Sequence, residues 1–521
     1  MLEKKKNVLF IMSDQLKYAA IGAHGNQQVL TPNLDHLARS GCDVENFFTN
    51  SPVCVPSRCT FITGKYLHAH HIRENHTVLE ENREIHLFRM LKQEGYLLSY
   101  SGKNHVLIES EFENFDFASI DDNRTYSSEE RLMKDELKKR SQQVGSHAYQ
   151  IAGFHDFPKE ATPAWNVTTS MIDSLESMKD VNRPFCAFLS IVEPHYPHVA
   201  PKEIWDMYEG VDFEIPLACE DDLPNKASRF IIKQKAQHSN EASLQEKKKW
   251  MRAYYSLITL VDMQVGRIVD WLQANDKLED TIIVFTSDHG EFGFEHGMNK
   301  KDLVLLDCLL HVPLMISWKG KIAPQTLTGT LAEQVDVLPT ILDLLGVSSH
   351  RGVQGKSFAQ SLLTNTKNAP VHHKDAVFAE VNPPWLFNTY KSYEEYVAHC
   401  LEKGIGDAPF NIPGDFTKSI RTKEHRYIWY GNGEEELYEF INDPGETKNL
   451  ALDPAYKDLK LNMKLQLLEW NALSEDPVDP SINARLQRQY STWIGKNEYN
   501  YSQWLPYWML PDYKKSLEKY Y

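Results

Sequence analysis

The 521-residue sequence has no C-x-x-C pair, although it contains seven cysteines. Structural zinc sites and disulfide frameworks usually place cysteines at short, paired spacings, so neither is predicted. No run reaches the roughly 18 apolar residues that a membrane-spanning helix needs, so no membrane association is expected. Internal repeats and low-complexity segments are also missing. What remains is ordinary globular composition, with 42% hydrophobic and 25% charged residues.

Basic residues are fewer than acidic residues. The sequence has 56 Lys and Arg residues against 72 Asp and Glu residues, which gives a formal net charge of −16. A nucleic-acid-binding protein needs a basic surface, so that class is disfavoured. An anionic substrate is still compatible with this charge, because the local charge at a site decides binding. Near the N-terminus, the apolar run 8–12 is too short for a signal-peptide core, so a cytoplasmic location is expected.

Apolar runs alternate with amphipathic stretches over residues 1–375. The pattern predicts strands over 7–13, 96–101, 185–192 and 281–287. It predicts helices over 32–40, 56–63, 85–95, 165–178 and 250–273, and partial helix over 331–345. Thr31 is the expected N-cap of the first helix. This alternation indicates an α/β domain with a mixed, mainly parallel sheet between layers of helices.

Residues 376–521 are predicted to form a smaller α+β subdomain, after a linker over 364–374. Strands are expected over 426–430 and 436–440, and a helix over 454–473. Residues 210–249 are polar and irregular, which indicates an insertion. The aromatic-rich tail 490–521 is expected to pack either on its own domain or on a neighbouring subunit, and the second arrangement would make a homo-oligomer through this tail.

Two acidic residues directly follow predicted strands. Asp14 follows the first strand and is followed by Gln15, while Asp288 follows the strand 281–287 and is followed by His289. Because sites in open α/β sheets form at the carboxyl ends of strands, these side chains could make one divalent-metal site. The alternative is that each Asp caps a helix or stabilises a turn.

Cys54 precedes the predicted N-terminus of a helix, and Arg58 lies one turn further along. Backbone N–H groups and the helix dipole favour an anion at such a position. The alternative is that Cys54 is a buried small apolar residue and Arg58 a surface ion-pair partner.

Here the sequence resembles the type I sulfatases of the alkaline-phosphatase superfamily. Their signature, Cys or Ser-x-Pro-x-Arg followed by Thr-Gly, stands complete as Cys54, Pro56, Arg58 and Thr63-Gly64. The other matching motifs, in the family's order, are Thr31-Pro-Asn-Leu-Asp-His-Leu-Ala38, Gly102-Lys-Asn-His105, Glu193-Pro-His195, Ser287-Asp-His-Gly-Glu291, His296-Gly297 with Lys301, Glu436-Leu-Tyr438 and Asp443-Pro-Gly-Glu446. The resemblance covers about residues 7–450 and implies an alkaline-phosphatase-like fold.

The resemblance implies that Cys54 is oxidised to formylglycine by a maturation enzyme. The hydrate of that aldehyde would attack sulfur, and its second hydroxyl would then expel sulfate as the aldehyde re-forms. Residues matched to the family's catalytic positions are Cys54, Arg58, Lys103, His105, His195 and Lys301. Arg58 and Lys103 would hold the hydrate and the sulfate, and His105 would take the second proton.

His195 and Lys301 would bind sulfate near the leaving group, with Lys300 as the fallback for Lys301. Residues matched to the metal site are Asp14, Gln15, Cys54, Asp288 and His289. Many family members carry Asp at position 15 and Asn at position 289. Calcium prefers oxygen ligands and is the expected metal, but an imidazole at position 289 makes manganese the alternative.

The sequence therefore predicts a sulfatase that cleaves a small-molecule or saccharide sulfate ester to an alcohol and sulfate. The Asp-Gln and Asp-His pairs are also similar to those of phosphonate monoester hydrolases, which lack the Lys103-x-His105 feature and form the first alternative. An inactive, ligand-binding relative with unmodified Cys54 is the second. A phosphatase or phosphomutase with a serine nucleophile would need a second metal-ligand cluster. Candidate substrate contacts are Asn75, His76 and His198, the last of them expected at the pocket rim.

Overall fold

A computed structural model describes residues 5–75, 78–79, 84–120, 127–144, 147–216, 225–301, 303–349, 352–364, 373–381 and 416–475. Its main element is an eight-stranded sheet. In spatial order the strands are β10 (Gln325–Glu333), β2 (Cys42–Phe48), β9 (Leu314–Ser317), β8 (Thr281–Ser287), β1 (Asn7–Asp14), β6 (Phe185–Pro194), β3 (Leu97–Gly102) and β4 (Phe117–Ile120). In this sheet β9 runs antiparallel to β2 and β8, and the other pairings are parallel. The predicted mixed, mainly parallel sheet is confirmed.

The described helices lie on both faces of the large sheet, except for the last one, which packs on a second sheet. In chain order they are α1 (Pro32–Ser40), α2 (Cys54–Thr63), α3 (Leu67–His70), α4 (Leu87–Gln93), α5 (Ser128–Val144), α6 (Pro163–Met178), α7 (Lys202–Asp206), α8 (Ser228–Gln237), α9 (Leu244–Ala274), α10 (Asp307–Leu310), α11 (Val337–Leu344), α12 (Ala359–Leu363) and α13 (Lys457–Glu475). Strand β1 shows why both faces of the sheet carry helices, since its side chains alternate between two apolar layers. Phe10 packs in one core with α2, α4 and α11, and Ile11 packs in the other with α1, α6 and α9.

Two helix starts differ from the prediction. Helix α2 begins at Cys54 itself, two residues before the predicted start, so the cysteine is its first residue rather than the one before it. At α1, Thr31 stands at the N-cap, but its hydroxyl accepts from the Gly22 N–H instead of from its own helix. Asp262 of α9 takes over that role and accepts the Leu34 N–H at 2.7 Å. Local sequence cannot reveal a cap supplied by a distant helix.

Two segments also have a different structure from the predicted one. The predicted partial helix over 331–345 begins as strand, because β10 runs to Glu333 before α11 starts at Val337. The polar stretch 210–249 contains α8 and the first six residues of α9, at whose start Ser243 and Glu246 form a capping box. The other predicted elements are found within three residues at each end, apart from α9, which starts six residues early.

A second sheet follows the first and is antiparallel. Its strands are β11 (Val377–Val381), β12 (Thr417–Arg421), β13 (His425–Tyr430) and β14 (Glu435–Glu439), and α13 packs on it. A separate pair, β5 (Gly153–His155) and β7 (Val199–Pro201), lies near α9. The domain boundary at 375 stays a prediction. Most of the predicted linker and the whole tail 490–521, with the predicted oligomer contact, lie outside the described residues.

None of the described helices combines the length and the apolar character that crossing a membrane would require.

Candidate active site

The two strand-end carboxylates meet, as predicted. Strands β1 and β8 are parallel neighbours with Ser13 opposite Ser287, so Asp14 and Asp288 leave the same edge of the sheet. Both are fully buried. Arg58 links them, with Nε 2.7 Å from an Asp288 oxygen and Nη2 3.1 Å from an Asp14 oxygen. A buried guanidinium thus fixes the spacing of two buried carboxylates, and its positive charge offsets part of their negative charge.

Helix α2 brings Cys54 to the same place. Its Sγ lies 3.9 Å from Asp14 Oδ1 and 3.3 Å from His289 Nε2. Ser57, on the next turn, donates to the Asp288 carbonyl at 2.6 Å and so fastens the helix to the loop after β8. At the other side, Asn75 Oδ1 accepts the Val55 N–H at 3.1 Å. Asn75 is therefore placed to hold the N-terminus of α2.

The donor set around Cys54 fits a cation. Ligand atoms of Asp14, Cys54, Asp288 and His289 all lie within 4.8 Å of one another, and all four residues are buried. His289 Nδ1 faces the Gly290 carbonyl at 2.9 Å, which fixes the proton on Nδ1 and leaves the Nε2 lone pair towards the cluster. Two carboxylates and one imidazole, with the sulfur of Cys54 beside them, make a mixed donor set that suits a divalent metal.

Two lysines converge on Cys54. Lys103 Nζ contacts the Asp14 carboxylate and lies 3.8 Å from Sγ. Lys301 Nζ contacts Sγ and lies 2.7 Å from His289 Nε2. Burial alone would raise the pKa of the Cys54 thiol, but the charges of Lys103 and Lys301 hold that pKa well below its ordinary value. Position 54 is thus an electropositive point between buried carboxylates.

The fallback residue Lys300 does not reach this cluster. Its Nζ lies 3.9 Å from the centre of the Tyr196 ring, while Lys301 occupies the position beside Cys54.

The two predicted catalytic histidines differ in their placement. His195 follows β6, and its Nδ1 lies 2.7 Å from the Tyr196 carbonyl. Burial, together with Lys301 and Lys103, lowers the pKa of His195 to about 3, so the ring is neutral. His105 lies two residues after Lys103, and within the described ranges its buried Nδ1 has no hydrogen-bond partner.

Beside His195 lies a cavity of about 310 Å³. Its walls come from α5, the start of α6, the segment after β6, and α9. They combine apolar side chains such as Leu137 and Leu257 with the cationic residues Lys134 and Lys138. A cavity of this size next to the site can hold a small organic group.

Glu291 is a buried residue that sequence reasoning gave no role. Gln15 Nε2 donates to its carboxylate, and Gly293 N–H donates to its other oxygen at 3.0 Å. Burial raises the pKa of Glu291 to about 7. The contact fixes the amide nitrogen of Gln15 away from a cation and leaves Oε1 as its remaining acceptor. The only sequence signal was the position of Glu291 in the Ser287–Glu291 motif.

The predicted rim position of His198 is wrong. The residue is fully buried, with its ring centre 4.6 Å from that of Trp250 and 5.7 Å from that of Tyr254. Its Nε2 lies 3.9 Å from Glu291. Apolar packing by α9, which is distant in sequence, encloses it. His76, the other candidate substrate contact, lies outside the described residues.

Comparison with known proteins agrees with this geometry. A family model described as Sulfatase matches residues 6–347. An arylsulfatase of Clostridium perfringens is 27% identical over 490 residues, covering 87% of this chain and 92% of that protein. A solved phosphonate monoester hydrolase of Silicibacter pomeroyi is 20% identical, with a TM-score of 0.73, covering 91% of this chain and 96% of that one. Another structure, in complex with its substrate D-glucosamine-2-N,6-O-disulfate, is 20% identical, with a TM-score of 0.70, covering 91% and 99%. The predicted fold class is confirmed.

Proposed function

The chain belongs to the sulfatase family and hydrolyses sulfate esters, and from that membership we propose that Cys54, converted to formylglycine, is the nucleophile of its reaction. The supporting observation is the convergence of Lys103, Lys301 and the Arg58-held carboxylates on Cys54. The hydrated aldehyde supplies the attacking hydroxyl and a second hydroxyl that can later expel sulfate. Its formation requires a maturation enzyme as a partner.

The cationic residues lower the cost of bringing negative charge to sulfur. Lys103 and Lys301 flank position 54, and their charges oppose the repulsion between the sulfate oxygens and the nucleophile. Arg58 acts through Asp14 and Asp288, because its contacts hold both carboxylates in place. Buried, preorganised charges of this kind act without reorganisation during the reaction.

The neutral His195 lines the cavity beside the site and, because its Nδ1 proton faces the Tyr196 carbonyl, can only accept a hydrogen bond through Nε2. Lys301, which keeps its charge, is the proposed member of the pair that stabilises or protonates the leaving alcohol. His105 is the proposed base for the second hydroxyl of the hydrate.

Asp14, Asp288 and His289, with Gln15 and the modified residue 54, are the proposed metal ligands. A divalent cation bound there supplies positive charge that stabilises the developing anion. Calcium is proposed because oxygen donors dominate, and manganese is the alternative because His289 offers a nitrogen. A cytoplasmic location stays a prediction.

The alcohol part of the substrate is proposed to occupy the cavity beside His195. Its volume of about 310 Å³ suits a small alcohol or one sugar unit, and Lys138 favours an alcohol with a further anionic group. Lys139, the next residue on α5, does not line the cavity and provides a matched control. We expect Lys138→Ala to raise KM several-fold more for para-carboxyphenyl sulfate than for phenyl sulfate. If the ratio of the two KM values is the same in Lys138→Ala and Lys139→Ala, Lys138 does not contribute to substrate recognition.

The nucleophile is tested by the mass of the Cys54 peptide from protein made in its own host, measured beside turnover of para-nitrophenyl sulfate. We expect the mass change for replacement of CH₂–SH by CHO, and no turnover by Cys54→Ala. An intact thiol in protein that turns over sulfate esters would refute the proposed nucleophile.

Phosphonate monoester hydrolysis is the second candidate, because Gln15 and His289 stand where many sulfatases carry Asp and Asn. The same protein, assayed with a phenyl phosphonate monoester and with phenyl sulfate, separates the two. A kcat/KM larger for the phosphonate would favour this candidate. The presence of Lys103 favours sulfate.

A further inference from the structure

Three potential metal ligands meet on the surface, away from the active site. His147 precedes a turn beyond α5, His238 directly follows α8 as its C-cap, and Glu241 lies in the turn before α9. Glu241 is bonded to both rings: His238 Nδ1 is 2.7 Å from Oε1, and His147 Nε2 is 3.3 Å from Oε2. The side chains are 29%, 34% and 54% exposed for His238, His147 and Glu241, so an ion can reach them from solvent.

The spacing of these atoms suits a transition metal. One ligand atom from each of the three residues lies within 4.8 Å of the others. Zinc ligands at ordinary bond lengths of about 2.0–2.2 Å stand about 3.3 Å apart around a tetrahedral ion. The observed separations of 2.7 and 3.3 Å therefore need only small side-chain movements to admit one. Two imidazoles and one carboxylate are a zinc ligand set with one position left for water.

The cluster joins segments that reach the active site. Gln237, next to His238, accepts the Asn299 N–H at 3.0 Å, and Gln234 donates to the His296 carbonyl at 2.8 Å. Asn299 lies two residues before Lys301. On the other side of the cluster, α5 forms a wall of the cavity beside His195. An ion held here would link α5 to the α8 residues that hydrogen-bond the loop before Lys301.

We propose that His147, His238 and Glu241 form a second metal site, which takes Zn²⁺ or a similar nitrogen-preferring divalent cation and fastens α5 to the turn between α8 and α9. It is separate in composition from the cluster around Cys54, because it contains two imidazoles and a single carboxylate. The proposal does not depend on the function assigned to Cys54.

The test counts zinc on the whole, matured protein. Wild type, His238→Ala, Glu241→Gln and the control His36→Ala are dialysed against micromolar Zn²⁺ with excess Ca²⁺, and bound zinc is measured by mass spectrometry. His36 is an exposed histidine on α1, remote in sequence from the cluster. Glu241→Gln keeps an oxygen acceptor at that position while removing the charge. We expect wild type and His36→Ala to bind one more zinc per chain than the two cluster variants, whose affinity falls at least tenfold.

Thermal unfolding with and without zinc gives a second readout. Zinc should raise the Tm of wild type and His36→Ala but not that of Glu241→Gln, because an ion that binds only the folded state stabilises it. Turnover of para-nitrophenyl sulfate should persist in both cluster variants, which shows that they fold. Equal zinc content in wild type and Glu241→Gln, or an equal loss in His36→Ala, would overturn the proposal.

Discussion

Lys301 is held where its charge acts on the nucleophile position rather than on solvent. Burial by itself would lower the pKa of its ammonium group, but Cys54 and the carboxylates of Asp14 and Asp288 raise that pKa. The side chain is therefore a fixed cation at neutral pH. A fixed charge that faces the reacting atoms stabilises negative charge without the reorganisation that water would need.

We expect Lys301→Ala to lower kcat/KM for para-nitrophenyl sulfate by about 10²- to 10³-fold, the usual loss when one preorganised group is removed. Lys300→Ala is the control, since that side chain lies over Tyr196 instead. Steady-state kinetics on protein with the residue-54 mass verified checks this. Similar losses in the two variants would contradict the assigned role of Lys301.

Several site residues could be predicted because local pattern and motif agree. Asp14 and Asp288 end apolar strands, and Cys54 starts a helix that carries Arg58, so topology alone brings them together. Glu291 could not be placed in this way, because its role depends on a contact with Gln15, which is 276 residues away. His198 was misplaced for a related reason, since the rings that enclose it come from α9.

Helices and strands could be predicted where the local apolar pattern was strong. They could not be predicted where the pairing of distant strands determined the structure. β1, β6 and β8 are continuous apolar runs and were found. The antiparallel direction of β9 carries no local signal, because it follows from the path of the chain after the active-site loop. β10 was partly taken for helix, because the apolar residues at its end run on into α11.

A buried ion cluster links α10 of the large domain to the second sheet. Both Arg421 on β12 and Arg426 on β13 pair with Asp307, and Glu446 accepts the Asp307 N–H at 2.6 Å. Burial opposes ionisation of Asp307, but the two guanidinium groups lower its pKa to about 2. The pKa of Glu446, in contrast, is raised to about 7 by burial. The contributions of these two acids to the unfolding free energy should therefore change in opposite directions with pH.

We expect Asp307→Asn to cost about 3 kcal/mol of unfolding free energy at pH 7, because the buried Arg421 loses the carboxylate that it contacts and Arg426 keeps only its ion pair with Glu446. In wild type, the stabilisation from the ionised Asp307 is complete above its unfolded pKa of about 3.9 and is lost as pH falls through about 2. The unfolding free energy of Asp307→Asn should therefore depend less on pH in that window. Urea unfolding over a pH series measures this.

Glu446→Gln is the matched control for that series. Because the folded pKa of Glu446 is raised, its effect on stability grows more unfavourable as pH rises from about 4.5 to about 7. The Gln variant should therefore change the slope in this upper window and leave the acid window unchanged. An acid-window slope that is the same in wild type and Asp307→Asn would contradict the role of the cluster.

In the whole molecule, the two sheets share their apolar interior. One buried cluster combines Phe48 and Leu309 of the large domain with Val377, Ile428 and Tyr438 of the second sheet. Backbone groups cross the same boundary: the Glu380 N–H donates to the Asn50 carbonyl at 2.9 Å, and the Phe378 N–H donates to Glu333 at 2.9 Å. Separating the sheets would expose this apolar surface and leave buried polar groups unpaired.

We therefore expect the described parts of residues 1–375 and 376–521 to unfold as one cooperative unit. An interface that is large and apolar does not behave like the polar contacts between independently moving domains. Urea unfolding followed by tryptophan fluorescence, far-UV circular dichroism and sulfate-ester turnover should give coincident midpoints. The informative variant is Trp470→Ala on α13, since that ring stacks on Phe378 with centres 4.5 Å apart. If the sheets are coupled, this change outside the active site shifts the midpoint of all three signals by the same amount. If they unfold independently, the turnover midpoint stays fixed while part of the spectroscopic transition moves to lower urea.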